Sequence, residues 1–537
     1  MLSQMFEEAT LNVLLDLPDE LLVSIVEQLD GDRHTLCTLS LVNKRFQALS
    51  EALLYSSIFY RHGFLAERIL EATRTRPGRG AAIRSLESRM HPAGSPEAHA
   101  SIAGILRGAP RLQEAIIESP YCNHERWRKV EARTRWGSAL EKIFQPFVEG
   151  SAIAAQVLSV EQKPSQKPLQ SLSHLTLHLN GAGREFWTVE PRHACILALP
   201  ALQDLHISSA NILASSTSLI PPTFRSSLKR LTLDECNLTM DGLQNLMAVP
   251  AALEYLYIGE NHYSPEEEDF PTPQPYNELC RRDPEAFISA VAQQKHSLTS
   301  FVYDAKQNMA DWSVTPTRPQ SARSGFSNFE KLGDVDVASP NYFLTSLFIS
   351  SDTAPPNLKS IRFGGIEMHG VLFEEMQQAR TSHAGEDFAV PALIRRTVAA
   401  APKLDAIAIT FDRIAGELEE ELREPIQITG KYLQKRKINL RLLQQPTRFQ
   451  LVRPQLFGEE LRPDELIYAN DGTEFTPWRA YSPQHVTTYT LVGLDDWEQV
   501  LGVLDHGVDQ DWEDIDESDE TNTETDVSED EHAEEAE

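Results

Sequence analysis

The chain has 537 residues and is 41% apolar, more than one ordinary domain needs and enough to bury a large core. Its 49 Lys and Arg stand against 79 Asp and Glu, and the resulting net charge of −30 argues against general binding to nucleic acid or anionic membranes. The five cysteines, Cys37, Cys122, Cys195, Cys236 and Cys280, are scattered and include no CxxC pair, which points away from a disulfide framework or a zinc site and toward a reducing compartment. The opening residues are acidic where a signal peptide is basic, and no run of about 18 apolar residues occurs. A soluble cytoplasmic or nuclear protein, off the membrane, is expected.

The first elements are helical. Pro18, with Asp19 and Glu20 behind it, suits a helix start. Leu21, Leu22, Ile25, Val26 and Leu29 then make an apolar stripe broader than one neighbour requires. "DGD" at 30–32 breaks this helix and offers Asp32 as the cap of the next. Leu36, Leu39, Leu41 and Val42 form a second apolar face, and Phe46, Leu49, Leu53 and Leu54 a third.

The stretch "LPDELLVSIVEQL…TLCTLSLVNKRFQAL" resembles the F-box motif, and its ending "LLYSSI" resembles the fungal variant of that module. The resemblance spans residues 14–58, about a tenth of the chain. It implies a small helical module that grips the adaptor of a cullin–RING ubiquitin ligase, with the contacts on Leu17, Pro18, Leu21 and Ile25 and on Leu36, Leu39 and Val42. Three or four buried aliphatic anchors, each worth about 1.5–3 kcal/mol, suffice for tight association after its costs.

A repeat follows. "LKRLTLDECNL" (228–238) matches the leucine-rich-repeat template LxxLxLxxN/CxL at every fixed position. Related segments start at Leu172, Leu202 and Leu253, giving spacings of 30, 26 and 25 residues, and weaker ones start at Leu298, Leu358 and Leu404. "IRSL" at Ile83 and "LQEAII" at Leu112 are candidate earlier copies. Helix-like segments ending in Pro lie between them, among them "GLQNLMAVPAAL" (242–253) and "LIRRTVAAAPKL" (393–404). Each unit reads helix, turn, strand. Residues 80–412 are therefore expected to stack into an α/β solenoid, with a curved parallel sheet inside and helices outside. A doubly wound α/β enzyme is the competing architecture, but its Gly-rich phosphate loops are missing.

Two gaps in the period predict insertions near 260–284 and 306–345, one acidic and Pro-rich, the other basic. Past residue 412 the repeat fades. "IAGELEEELREP" (414–425) reads as a polar helix closing the array within a cap of unassigned fold at 413–505. Residues 506–537 read as a disordered acidic tail, with sixteen Asp or Glu and no Lys or Arg from Asp509 onward.

Catalytic signatures are missing, with no GxSxG, HExxH or deaminase set. His174 and His178 lie about 13 Å apart if both are in one strand, too far for a single metal, and both read as solvent-facing. "HERWRKVEARTRW" (124–136) reads as a solvated helix with aromatic anchors, and "KYLQKRKINLR" (431–441) as basic surface or an import signal. No metal, cofactor or enzymatic activity is expected.

The outward positions of the strands form columns. One holds His174, Asp204, Arg230, Tyr255, Ser300 and Ser360, and the next holds Thr176, His206, Thr232, Tyr257, Val302 and Arg362. Tyr and Arg are common interface anchors, so a protein client is expected around Arg230, Tyr255, Tyr257 and Arg362. Joined, the two resemblances imply a non-catalytic F-box and leucine-rich-repeat substrate receptor of an SCF-type ubiquitin ligase. The alternative is an interaction scaffold of the same build that acts without ubiquitination.

Overall fold

In a computed structural model, residues 17–89, 96–118, 130–154, 167–179, 187–260, 279–304, 325–338, 342–364, 390–411, 420–444 and 464–471 are described. The chain divides into two units, Met1–Trp478 and Arg479–Glu537, and every described residue belongs to the first. The acidic run at 509–537 lies outside the described residues.

Three short helices come first: α1 (Asp19–Glu27), α2 (Arg33–Val42) and α3 (Lys44–Leu54). Their ends are set by local chemistry. Gly31 takes a φ of 90° in the break, a conformation that L side chains resist. The Asp32 carboxylate accepts from the Thr35 amide (3.1 Å) and hydroxyl (2.7 Å), and these bonds hold its pKa below the usual value. Asn43 caps α3 by accepting from the amides of Arg45 and Phe46, each at 2.9 Å. Leu22, Val26, Leu36 and Phe46 form a small core of their own, separate from that of the sheet.

The sheet starts at once. Strand β1 (Ser57–Tyr60) follows α3 within three residues, so the boundary expected at 58 falls inside a strand. Next come α4 (Gly63–Thr75), α5 (Pro77–Ala82), β2 (Ser85–Arg89), α6 (Pro96–Gly108), β3 (Glu114–Glu118), α7 (Val130–Gly150) and β4 (His174–His178). The middle holds β5 (Trp187–Thr188), β6 (Asp204–Ser208), β7 (Ala210–Ile212), β8 (Arg230–Leu238), α8 (Met240–Met247) and β9 (Tyr255–Glu260). After it come α9 (Leu279–Arg282), α10 (Pro284–Ala292), β10 (Ser300–Asp304), β11 (Asp334–Val337), α11 (Tyr342–Phe348) and β12 (Ser360–Phe363). The last elements are α12 (Val390–Ala400), β13 (Ala406–Phe411), α13 (Glu420–Lys435), β14 (Asn439–Gln444) and β15 (Glu465–Ala469).

Strand order follows chain order, β1-β2-β3-β4-β6-β8-β9-β10-β11-β12-β13-β14-β15, while β5 and β7 form a side ladder against the end of β8. Every pair is parallel except β14 with β15. This is the alternating α/β architecture that the repeat spacing predicts. Register stacks equivalent positions: Leu175, Leu205, Leu231, Leu256 and Phe301 lie side by side, and two residues on so do Leu177, Ile207, Leu233, Ile258 and Tyr303. All ten are buried. One unit cannot cover such a row, and neighbours at about 4.8 Å complete it.

The expected insertion at 306–345 holds a further strand of the sheet, β11, with buried residues ahead of it. Phe326, Phe329, Leu332, Val335 and Val337 are all buried, and β11 pairs in parallel with both β10 and β12. The array also runs on past 412. Helix α13 does not end it, because β14 adds another parallel strand and antiparallel β15 covers the edge. Asn470 fixes that closure: its side-chain oxygen accepts from Leu440 N (2.8 Å), and its amide donates to Ile438 O (2.8 Å) and Gly430 O (3.2 Å). Asn470→Ala is expected to orphan buried backbone groups at about 1–3 kcal/mol each. A melting temperature unchanged by that substitution would contradict this role.

Candidate functional site

Helix α1 splits its apolar residues between two faces. Leu22 and Val26, four apart, enter the small core, whereas Leu21 and Ile25, also four apart, stay 51% and 42% exposed. Pro18, just before the helix, is exposed as well, and Val42 at the end of α2 is 43% exposed. Arg45 holds the start of α1 in place by donating to Asp19 Oδ1 (2.7 Å) and to the Leu17 carbonyl (2.6 Å). Four of the seven expected adaptor contacts thus lie on the surface.

The other three divide differently. Leu17 and Leu39 are half-buried against the small core, and Leu36 is only 2% exposed within it. Leu36 is a correction: its side chain holds α2 to α1 and α3 and presents nothing outward. Leu41, placed on the second apolar face but not among the expected contacts, has at 84% the greatest exposure of the large apolar side chains described. The signal was available, since in a helix whose inward position is Leu36 residue 41 sits well off that face.

The module is tied to the sheet. Glu51 of α3 accepts from Arg79 (2.6 Å) and Arg76 (3.0 Å), and the Arg79 bond foremost lowers its pKa. Arg79 also lies over the Tyr55 ring, 5.2 Å from its centroid.

On the outward face of the sheet, Arg230, Tyr255 and Tyr257 are neighbours on β8 and β9. The Arg230 guanidinium stacks on Tyr255 at 4.1 Å and pairs with Asp204 at 3.2 Å. The Tyr257 ring lies over Gly259, where a Cβ would strike it, and its hydroxyl reaches Asp304 (3.3 Å) and Asp234 (3.5 Å). Arg362 does not join this group. It stands three strands away on β12 and is held by Asp464 (2.6 Å) and Thr410 (3.0 Å), with Asp336 at 3.9 Å. Of the four residues expected to form a hot spot, three lie together, and Arg362 is a latch between β12 and the start of β15.

His174 is exposed as expected, but His178 is buried, with Nδ1 against the Ser208 hydroxyl. Burial pushes its pKa down to about 3, against the opposing pull of Asp234. His193, buried against Phe144 and Trp187, is lowered to about 4, chiefly by burial and then by Arg192. Both are neutral when folded yet charge when unfolded below about pH 6.5, so acid draws protons to the unfolded chain. Stability is expected to fall between about pH 7 and pH 5, with each histidine contributing on the order of 1–2 kcal/mol. The melting temperature of His178→Asn should depend less on pH over that range; an identical dependence would rule this out.

His193, Glu141 and Glu190 each bring a potential ligand atom within 4.8 Å of the others, the one such grouping among the described residues. Arg192 already pairs with both carboxylates, which accounts for the cluster without a metal. Free Cys195, Cys236 and Cys280 are buried with raised pKa values, mainly from burial, and so are poor nucleophiles. The basic segment 431–441 is helical to Lys435 and buries Leu433, Ile438 and Leu440, so it is part of the fold and not an extended signal.

A family model described as F-box-like matches residues 14–61. Those residues form an F-box-like domain. Its matched span takes in α1 to α3 and runs into β1, so the F-box-like domain and the sheet share a strand. No curated protein matches the chain. Among solved structures, the crystal structure of the Rad7 and Elc1 complex in yeast is similar at 13% identity, covering 78% of this chain and 93% of that one with a TM-score of 0.29. No helix among the described residues is long and apolar enough to cross a membrane.

Proposed function

We propose that this protein is a substrate receptor of an SCF-type cullin–RING ubiquitin ligase. The observation that carries the reading is the F-box-like domain itself, in which Pro18, Leu21, Ile25, Leu41 and Val42 are exposed although the module has a core of its own. Large apolar side chains left in water in one module mark a docking surface. The F-box-like domain would grip the adaptor, and the sheet face around Arg230, Tyr255 and Tyr257 would hold a protein client. The receptor does no chemistry of its own in this reading. It raises the effective concentration of a client lysine at the loaded ubiquitin, which a remote module supplies. The ion pairs of Glu51 with Arg76 and Arg79, which join α3 to α5 and its neighbours, suit that task, since a floppy joint would dilute the effect.

Client turnover tests the reading. Deleting the protein, or substituting Leu21→Asp with Ile25→Asp, is expected to raise the abundance of proteins that co-purify with the sheet. If the adaptor and cullin co-purify but no client changes in abundance or ubiquitination, the scaffold reading replaces this one.

A further inference from the structure

The two arginines on the client face suggest at first a site for an acidic partner. The geometry reverses that sign. Both guanidiniums already have carboxylates, Arg230 with Asp204 and Arg362 with Asp464. The outward columns of β6, β8 and β11 hold Asp204, Asp234, Asp334 and Asp336, and Asp464 reaches in as a fifth carboxylate against these two cations, while Asp304 at the end of β10 is buried. Asp334 and Asp336 belong to the strand hidden in the apparent insertion, so the column read from sequence lacks them.

These residues make a shaped surface. Tyr255 and Tyr257 stand on β9, Ser300 and Val302 on β10, and Asp334 and Asp336 on β11, in direct register. At about 4.8 Å per strand the tyrosines and aspartates are about 10 Å apart, with small residues forming the floor between them. Buried Asp304 accepts from the Tyr257 hydroxyl at 3.3 Å and so helps to hold that ring in place. A lysine or arginine side chain fits this arrangement: its aliphatic stem lies on Val302, its charge meets the carboxylates, and an aromatic edge flanks it. The face already displays the chemistry on its own residues, where the Arg230 guanidinium sits between the Tyr255 ring and the Asp204 carboxylate on neighbouring strands. Closely spaced carboxylates repel one another, and an incoming cation relieves that repulsion.

We infer that the face formed by β9, β10 and β11 recognises a basic segment of the protein client, inserting an arginine or lysine side chain between Tyr257 and Asp334. This rests on the proposed client role of the sheet. The test uses the full chain and fluorescence anisotropy with a short labelled Arg–Ser peptide, a Glu–Ser counterpart and a single-stranded oligonucleotide. The Arg–Ser peptide is expected to bind, weakening with salt, while the other two do not. Asp334→Lys and Tyr257→Ala should each weaken it about tenfold. Asp334 is exposed, so its reversal leaves the fold intact. Binding of the Arg–Ser peptide that is unchanged by both substitutions would reflect general acidity and overturn the inference, as would preference for either other probe. Client capture in the same variants separates the two levels. If Tyr255→Ala with Tyr257→Ala abolishes capture while Asp334→Lys has no effect, the inference fails and the client face stands; if neither matters, both fall.

Discussion

Phe326→Ala is expected to lower the unfolding free energy by about 3–5 kcal/mol, the range for losing a large aromatic from a packed core. The ring is fully buried and meets Phe348 at 5.0 Å, Phe329 at 4.9 Å and Phe301 at 5.5 Å between centroids. It packs between Phe301 of β10 and Phe348 of α11, joining the unit of β11 to its neighbours. Chemical denaturation read by circular dichroism checks this. A loss below about 1 kcal/mol would mean that the unit is loosely packed and that the sheet is interrupted there.

That unit shows where the sequence was legible and where it was not. "LKRLTLDECNL" places Leu228, Leu231, Leu233, Cys236 and Leu238 at its inward positions, and each is buried. "LGDVDV" performs the same job with Leu332, Val335 and Val337, but valine replaces leucine and aspartates stand between, so the template is met only in hydrophobicity. β14 was hidden differently, because the basic run before it resembles surface while Leu433, Ile438, Leu440 and Leu442 are core. On the site, spacing revealed the apolar stripe of α1 but could not divide it: whether Leu21 or Leu22 faces inward depends on where α2 and α3 pack. Exposure at Leu21 and burial at Leu36 are tertiary facts. The Arg362 pairing is equally invisible, since its partner lies 102 residues away.

The second large effect follows from that division. Leu22→Asp buries an unpaired carboxylate in a core of four residues and is expected to unfold the F-box-like domain, abolishing adaptor binding together with its helical signal. Leu21→Asp with Ile25→Asp is expected to abolish binding while leaving circular dichroism and melting nearly unchanged, because both side chains are about half exposed and lie outside the small core. Losing two anchors and adding two charges should weaken binding by a factor of about 1,000 or more. Leu41→Asp should act in the same direction if its exposed side chain joins the interface. If the Leu21 and Ile25 pair instead destabilised the fold as Leu22→Asp does, the two faces of α1 would have been assigned wrongly.

Calorimetric titration of purified adaptor into the full-length chain tests the central claim most directly. A saturable one-to-one complex is predicted, with a Kd below about 1 µM and a negative heat-capacity change from apolar burial, and it should vanish in the Leu21→Asp, Ile25→Asp variant. An equal Kd for the variant and the wild type, or no heat from a folded wild-type chain, would contradict the account.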